Sequence, residues 1–363
     1  MKTAVAEINL SALNHNLNVV IKHCPNSKIL AVCKANGYGH GIVEVATALN
    51  AANAYGVARL EEAIELRNAG ITKPIVLLEG FFNTQDIALI AKHKITICLQ
   101  NHWQLSQLEQ AQIKPSEPLW LKVDSGMTRL GFYHHEVEQA LSRLEKLNYT
   151  ISETVLSSHF ACADELDNPL TNSQLKRFNE ILATHSKQKA LQASMANSAA
   201  VLTLPEAHFD WVRPGIMLYG ISPMLYSHAD EYQLKPVMTL KSKLISVKKV
   251  PAGTYIGYGA RWLTQAETHI GVVAIGYGDG YPRHAKDGTP VYINGRIVPL
   301  VGRVSMDMIT VDLGQDCQDK VGDAVTLWGE NLPIELVAEN SDTIAYELVC
   351  QITQRVEKHY INQ

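Results

Sequence analysis

The sequence lacks the features of a membrane protein, a nucleic-acid-binding protein or a disulfide-stabilised protein. None of its 363 residues belongs to an apolar run approaching the ~18 residues of a membrane-spanning helix. The formal net charge is -4, which provides no basic surface for nucleic acid. The six cysteines form no C-x-x-C pair, so neither a zinc site nor a disulfide framework is expected.

Two further absences narrow the choice of function and location. The first dozen residues contain no long apolar stretch followed by a small-residue cleavage site, so a cytoplasmic location is expected. The segment GYGDG (276–280) lacks the G-x-G-x-x-G spacing of a dinucleotide-binding turn, and the loop KANGYGHG (34–41) lacks the G-K-[ST] of a P-loop. Neither a dinucleotide nor a nucleoside triphosphate is therefore predicted as a ligand.

Short apolar runs alternate with segments of helical periodicity over the first two thirds of the chain. The segments between them repeat apolar residues at helical spacing, as at 42–52, 60–69 and 172–184. Eight buried strands alternating with helices predict a closed parallel (β/α)8 barrel of the TIM type, with an open doubly wound sheet as the alternative. The predicted strands lie at 27–34, 54–60, 74–80, 95–101, 118–124, 154–160, 189–196 and 209–215.

The pattern changes after residue 222 to apolar runs without intervening helices. The pair Asn294-Gly295 between two such runs is a strong hairpin signal, because both residues tolerate positive φ. We predict a barrel over 1–232, whose first few residues are candidates for joining the next domain, and a mostly antiparallel β domain over 233–363 with a closing helix at 343–351. The predicted strands are 237–250, 253–262, 270–275, 290–293, 296–304, 308–313 and 324–328.

Polar side chains follow several of the eight predicted barrel strands. The working residues of such barrels lie at the carboxyl ends of the strands. One polar strand end often means only that the chain has reached solvent, but five together indicate an active site. The residues concerned are Lys34, Lys122 with Asp124, His159, Asn197 with Ser198, and Arg213.

The loop that begins at Lys34 combines a lysine with three glycines and a tyrosine. A lysine at a barrel mouth is suited to forming a Schiff base. The glycines let the backbone approach an anion, and the Tyr38 hydroxyl can donate to a phosphate oxygen. The Ser198 hydroxyl and the amides of Gly215 and Ile216 are further candidate phosphate donors. The alternatives are a flexible glycine-rich turn and an ordinary helix N-cap at Ser198.

Two other segments carry unusual side chains. A strand's period of two puts Lys122 and Asp124 on one face, and a charged lysine inside a barrel is costly unless paired or modified. Arg129 has the same sign, so an anion is expected between Arg129 and Lys122 if both point inward; alternatively, Asp124 pairs with Lys122. Tyr258 stands between two glycines, which is typical of a bulge or of a site that a ligand approaches.

Eight motifs, in the same order and spacing, resemble those of the alanine racemases, which are barrel-type (fold-type III) pyridoxal-phosphate enzymes. The resemblance covers nearly the whole chain, and so many ordered motifs make it highly specific. The motifs are AVCKANGYGHG, LKVDSGMTRLGF, SSHFACADE, MANSAA, VRPGIMLYG, GYGARW, GYGDGYPR and VGRVSMDM.

The resemblance implies two catalytic bases and a shared site. Lys34 would hold pyridoxal 5'-phosphate through an imine and exchange a proton with the substrate Cα on the D-alanine side. Tyr258 would act on the opposite face, with L-alanine. Lys122 would be carbamylated and supply the anion beside Arg129. Tyr258 and Met306, a substrate contact, would act across the interface of a homodimer.

The resemblance also implies the surroundings of the cofactor. Racemisation needs one base on each face of a stabilised carbanion, and an arginine at the pyridine nitrogen keeps that nitrogen an unprotonated acceptor. No metal is implied. The implied contacts are Tyr38, Ser198, Gly215 and Ile216 at the phosphate, Asn197 and His159 beside the cofactor, Arg213 at the pyridine nitrogen, and Arg129 at the phenolic oxygen and substrate carboxylate.

The activity expected from the resemblance is interconversion of L-alanine and D-alanine, either supplying D-alanine for peptidoglycan or degrading it. The alternatives are a racemase of serine or of a wider range of amino acids, a barrel-type amino-acid decarboxylase, and a non-catalytic pyridoxal-phosphate-binding protein.

Two positions depart from the family pattern. Gly37 stands where the family usually has alanine, and Gln354 stands where some members have a phosphate-contacting tyrosine.

Overall fold

The computed structural model describes residues 3–111, 114–116, 118–189 and 191–362, without the side chains of 186–189. After β1 (Val5–Asn9), eight parallel strands form a closed barrel. The first barrel strand pairs with the last through Lys28 and Trp211, which confirms the predicted barrel and excludes the open sheet. The barrel strands are β2 (Lys28–Val32), β3 (Ala54–Val57), β4 (Ile75–Leu77), β5 (Thr96–Leu99), β6 (Trp120–Lys122), β7 (Val155–Ser157), β8 (Gln192–Ser194) and β9 (Trp211–Val212).

Helices surround the barrel and cover strands that are buried on both faces. Each residue of β3, β4 and β5 is buried, as expected for parallel strands that read as continuous apolar runs. The helical segments are α1 (Leu10–His23), α2 (Lys34–Tyr38), which is a short segment with left-handed backbone, α3 (Ile42–Ala48), α4 (Leu60–Asn68), α5 (Asp86–Lys92), α6 (His102–Ala111), α7 (Val137–Lys146), α8 (Pro169–Lys189) and α9 (Ser198–Thr203).

The second domain is built on a mostly antiparallel sheet, as predicted. Six of its strands follow the order β15-β14-β17-β10-β1-β18, and β13 pairs with both β10 and β16. β1 runs antiparallel to β10 and parallel to β18. The elements are β10 (Met238–Val250), β11 (Tyr255–Ile256), β12 (Trp262–Leu263), β13 (Thr268–Val273), β14 (Pro290–Ile293), β15 (Arg296–Pro299), β16 (Ile309–Gly314), β17 (Ala324–Trp328), α10 (Ile334–Glu339), α11 (Ala345–Cys350) and β18 (Glu357–Ile361).

The strand predicted over 253–262 is wrong. A 3-10 turn at Tyr258–Ala260 separates β11 from β12. Gly257 and Gly259 have φ angles of +70° and +74°, a left-handed conformation that ends a strand. The boundary predicted between residues 232 and 233 stays a prediction.

The second domain packs against the loop that follows β2. A Cβ on Gly39, whose φ is +80°, would lie 2.0 Å from the Val349 carbonyl oxygen of α11. The Tyr360 hydroxyl of β18 donates to the His40 carbonyl oxygen at 3.1 Å. The β domain therefore fixes the position of the Lys34 loop.

Over the residues described, no helix combines the length and apolar character needed to cross a bilayer.

Candidate active site

Lys34 begins a left-handed turn at the carboxyl end of β2. Its side chain is half-buried, and the next residues Ala35, Asn36 and Tyr38 have φ angles of 53°, 54° and 49°. Left-handed backbone costs a non-glycine residue about 1–2 kcal/mol. Such strain persists only where the surroundings enforce it, and it concentrates at active sites. The backbone that follows Lys34 is therefore held in one conformation.

Tyr38 lies in a buried aromatic cluster with its hydroxyl beside Gly215. Its ring centroid is 4.7 Å from that of Tyr219 and 6.2 Å from that of Tyr346. A Cβ on Gly215 would lie 2.6 Å from the Tyr38 hydroxyl oxygen, so a side chain at this position would force that hydroxyl to move. Burial raises the pKa of Tyr38 well above its usual value. The hydroxyl therefore stays protonated and available as a donor.

The segments after β8 and β9 meet beside Tyr38. The Ser198 hydroxyl oxygen accepts from the Gly215 amide at 2.8 Å. Asn197 accepts from the Ala200 amide at 3.1 Å, so the N-cap of α9 is Asn197 and the ordinary N-cap interpretation of Ser198 is wrong. The Ile216 amide has no hydrogen-bond partner among the described residues. The structure thus brings together four predicted phosphate contacts, and the Ile216 amide is a free donor among them.

For the phosphate site that the resemblance implies, replacing Gly215 by alanine is expected to weaken binding of pyridoxal phosphate at least tenfold without unfolding the chain. The new methyl group would displace the Tyr38 ring and the amide donated to Ser198, because a 2.6 Å contact cannot persist. Titration of the apoenzyme with pyridoxal phosphate, read by protein fluorescence, measures the change. In a Tyr38→Phe background the clashing oxygen is gone, so the additional loss should shrink; equal losses in both backgrounds would contradict the explanation.

Arg213 lies buried at the end of β9 and is held by neutral acceptors. Its guanidinium donates to the Ser194 hydroxyl at 2.6 Å, and to the carbonyl oxygens of Ser158 at 2.5 Å and Met195 at 3.3 Å. It also donates to His159 Nδ1 at 3.3 Å. Burial lowers the pKa of Arg213 to about 10, so it remains a cation at neutral pH. These bonds fix its direction.

His159 is a neutral ring surrounded by positive charge. Burial lowers its pKa well below the usual value, and the cations Lys122, Arg213, Arg129 and Lys34 lower it further. Because the Arg213 guanidinium can only donate, Nδ1 of the neutral ring is the acceptor of their hydrogen bond. These four cations all have the same sign, so an anion beside them would be stabilised.

Lys122 does not pair with Asp124. An Asp124 carboxylate oxygen instead accepts from the amides of Gly126 at 2.8 Å and Thr128 at 3.1 Å, and the described residues contain no Lys122–Asp124 ion pair. The pairing alternative is therefore wrong, because Asp124 lies beyond the end of β6 and caps a turn. Burial, followed by the charge of Arg213, lowers the pKa of Lys122 to about 8.

Tyr258 and Met306 lie apart from this cluster, on the surface of the β domain. Their exposed fractions are 72% and 52%. In the described part of the chain, no hydrogen bond or ring contact joins either residue to the barrel. The Met306 carbonyl oxygen accepts from the Gly278 amide at 2.9 Å, which ties the two loops together. Within the described part of one chain, none of these contacts connects Tyr258 or Met306 to Lys34.

Sequence reasoning missed the residues that support the cluster. Ser158 and Ser194 orient Arg213, and Tyr219 donates to the Val32 carbonyl oxygen at 3.0 Å. Ser158 lies in SSHF and Ser194 in LQAS, at the ends of predicted strands, so their positions carried a signal.

Among the described residues, no group of three or more His, Cys, Asp or Glu side chains could hold a metal.

Comparisons with known proteins identify the family. The model of the alanine racemase N-terminal domain matches residues 8–223, and that of the C-terminal domain matches residues 237–360. Alanine racemase from Aeromonas hydrophila subsp. hydrophila is 50% identical over 361 residues, which are 99% of this chain and 100% of that protein. Alanine racemase from Vibrio cholerae is 49% identical over 360 residues, 99% of both proteins.

Solved structures agree with these sequences. The crystal structure of biosynthetic alanine racemase from Pseudomonas aeruginosa matches with a TM-score of 0.95 and 44% identity, covering 100% of both chains. Alanine racemase from Bartonella henselae with covalently bound pyridoxal phosphate matches with a TM-score of 0.88 and 30% identity, covering 99% of this chain and 100% of that one. The chain belongs to the alanine racemase family.

Proposed function

We propose that this chain interconverts L-alanine and D-alanine with pyridoxal 5'-phosphate, and that Lys34 and Tyr258 are its two bases. One observation carries the proposal. A half-buried lysine at a strand end faces a region where Lys122, Arg129 and Arg213 all raise the positive potential. A phosphate and a substrate carboxylate are the anions that this region would stabilise.

The residues present fit the cofactor. Lys34 would hold it covalently, as the Bartonella henselae relative holds its own. The phosphate would accept from the Tyr38 hydroxyl and the Ile216 amide, with Ser198 and Gly215 completing that end of the site. When bound, pyridoxal phosphate delocalises the charge left on Cα once a proton is removed. The side-chain carbonyl oxygen of Asn197 already accepts the hydrogen bond that caps α9. A contact between Asn197 and the cofactor therefore stays a proposal.

Arg213 and His159 would limit the chemistry to proton transfer. The Arg213 guanidinium is a pure donor that stays protonated, so a ring nitrogen facing it must act as an acceptor. Such an arrangement weakens the electron sink and disfavours side reactions such as transamination. His159 is neutral and cannot supply a proton to the pyridine nitrogen at neutral pH.

A homodimer with shared active sites explains the exposed position of the second base. Tyr258 and Met306 are exposed, and so are the apolar side chains of Tyr255 and Met308, which are close to them in sequence. Surfaces of this kind are typical of protein interfaces. In a two-fold dimer the partner would place Tyr258 and Met306 over the barrel mouth, with Arg129 holding the substrate carboxylate.

Lys122 would carry a carbamate that lies beside Arg129. The neutral Nζ attacks the carbon of CO2, an N–C bond forms, a carbon–oxygen π pair moves onto oxygen, and one proton leaves Nζ for solvent. The product carries a single negative charge among cations. Because burial lowers the pKa of Lys122 to about 8, much more of its amine is neutral at pH 8 than for a surface lysine.

Carbamylation should follow pH in a defined direction. The modified fraction is expected to rise as pH increases through about 8 and to fall below it, because only the neutral amine reacts. After equilibration with 13C-bicarbonate, one carbamate signal per chain should appear in the 13C NMR spectrum. It should vanish in Lys122→Met and persist in Lys241→Met, whose lysine is ion-paired with Glu7. A signal that survives Lys122→Met would refute the assignment.

The substrate proposal rests on relatives that cover the whole chain. Serine or broader racemase activity is not favoured, because these relatives are alanine racemases. Circular-dichroism assays with L-alanine and L-serine, with and without added cofactor, test the choice. We expect L-alanine to be racemised at least tenfold faster than L-serine. Cofactor binding without turnover of either enantiomer of alanine would support the non-catalytic alternative. A biosynthetic or degradative role and the cytoplasmic location remain predictions.

A further inference from the structure

Tyr258 lies in the turn of a hairpin that has few attachments to the rest of the β domain. We call residues 255–263 the Tyr258 hairpin. In the described part of the chain, its strands β11 and β12 pair with each other and with no further strand. A two-stranded hairpin alone is marginally stable. Its buried residue Ile256 packs with Ile270 and Val301 in a small apolar cluster separate from the main core. The position of Tyr258 therefore depends on the other contacts that this hairpin makes.

One carboxylate joins the Tyr258 hairpin to the loop that carries Met306. An oxygen of Asp287 lies 3.1 Å from Nε of Arg261, and the other accepts from the Gly302 amide at 2.7 Å. Arg261 follows Tyr258 by three residues, and Gly302 begins the segment that leads to Met306. No hydrogen bond in the described part of the chain joins the Tyr258 hairpin to β13, β14, β15 or β16. Asp287 is thus the polar link between the second proposed base and a proposed substrate contact.

The two linked segments also touch along their backbones. A Cβ on Gly302 would lie 3.1 Å from the Ile256 carbonyl oxygen, and a Cβ on Gly257 would lie 3.6 Å from the Arg303 amide nitrogen. Gly302 is buried, and its amide has no acceptor other than Asp287 among the described residues. A buried amide that loses its acceptor is costly, so the backbone would shift to find water. Because the segments are in contact, the Tyr258 hairpin would shift with it.

Asp287 is itself held in place by the backbone on both sides. The Lys286 amide donates to the Asn340 carbonyl oxygen at 3.0 Å, and the Gly288 amide donates to the Leu300 carbonyl oxygen at 2.8 Å. The Asp287 side chain is half-buried between these anchored neighbours. Hydrogen bonds from an amide or a guanidinium to a carboxylate are short and strong. A carboxylate presented from a fixed turn can therefore set the position of both segments.

We propose that Asp287 is a positioning residue for racemisation, which holds the Tyr258 hairpin against the Met306 loop so that both segments keep one relative position. Asp287 acts through Tyr258 and takes no part in proton transfer itself. The inference rests on the proposed function, because it assigns Asp287 to the face of the substrate that Tyr258 serves. A base displaced by about 1 Å can lose about 10²-fold in rate, so a contact that sets its position matters for turnover.

Asp287→Ala removes both contacts and should affect the two enantiomers differently. In the holoenzyme in D2O, exchange of the Cα proton of L-alanine is expected to slow about 10–100-fold, because Tyr258 is displaced. Exchange of D-alanine, which Lys34 serves, should be unchanged. Unfolding or loss of the cofactor would slow both alike, so the asymmetry isolates the positioning role. Lys286→Ala is the matched control, because it removes an exposed ion pair with Asp342 from the same turn. It should change neither rate.

A second variant tests the path from Asp287 to the hairpin. Arg261→Ala removes the ion pair but leaves the hydrogen bond to Gly302, so it should slow exchange of L-alanine less than Asp287→Ala does. In an Asp287→Ala background, Arg261→Ala should add no further loss. Hydrogen–deuterium exchange by mass spectrometry gives a readout that is independent of activity. The amides of 255–263 and 302–306 should exchange faster in Asp287→Ala, and those of β2 should not.

The outcomes separate this inference from the proposed function. Equal slowing of both enantiomers by folded Asp287→Ala, unchanged exchange of L-alanine, or unchanged deuterium exchange in both segments would overturn the inference and leave the proposed function intact. If instead the wild-type enzyme does not racemise alanine, or if Tyr258→Phe leaves racemisation unchanged, the proposed function is wrong and Asp287 has no base to position.

Discussion

Lys34→Ala is expected to abolish racemisation, with a loss of at least about 10⁴-fold in both directions. The substitution removes a proton-transfer group and the covalent link to the cofactor together. The visible absorbance of the lysine-bound cofactor should disappear. Lys28→Ala is the matched control, because Lys28 begins the same strand β2 at the opposite end of the barrel. That variant should keep both absorbance and activity.

A small amine separates the chemical role of Lys34 from a structural one. If Lys34 acts as an amine, added methylamine should restore part of the activity of Lys34→Ala, whereas a collapsed loop would not respond. Borohydride reduction of the wild-type enzyme should fix the cofactor on the peptide that contains Lys34. Recovery of the reduced cofactor on any other lysine would disprove the assignment.

The barrel side of the site was predictable because its signals are local. Each buried strand reads as an apolar run, and the polar residue that follows it lies at the barrel mouth whatever the details of packing. Lys34, His159 and Arg213 were predicted as site residues in this way. Charge states were not predictable, since the neutrality of His159 depends on cations contributed by several different strands. The sequence shows that these cations exist, but it does not give their distances from His159.

The elements that the sequence analysis did not predict correctly lack a local sequence pattern that would identify them. The final strand β18 pairs with β1 across almost the whole chain, and its burial alternates between exposed and half-buried. The segment 253–262 reads as a strand because its apolar and aromatic content suits one. Two glycines with positive φ interrupt it, and glycine occupies positive and negative φ almost equally. That interruption places Tyr258 on an exposed turn.

Tyr258→Phe is expected to retain the cofactor absorbance and to lose about 10²–10⁴-fold of racemase activity, because only one hydroxyl is removed. Exchange in D2O should be asymmetric. If Lys34 serves D-alanine, the variant should still exchange the Cα proton of D-alanine but not that of L-alanine. Tyr255→Phe is the matched control, since Tyr255 is 65% exposed on the adjoining strand β11. Unchanged racemisation by Tyr258→Phe would exclude the tyrosine as a base.

Mixing the two inactive variants tests whether the site is shared between subunits. A dimer of one Lys34→Ala chain and one Tyr258→Phe chain contains one site in which both mutated residues meet and one in which both residues are intact. Random re-association should make half of the dimers mixed, each with one working site, so about a quarter of the wild-type activity should return. If Lys34 and Tyr258 of the same chain formed each site, every site would carry one defect. No activity would then return, and the exposed position of Tyr258 would need a different explanation.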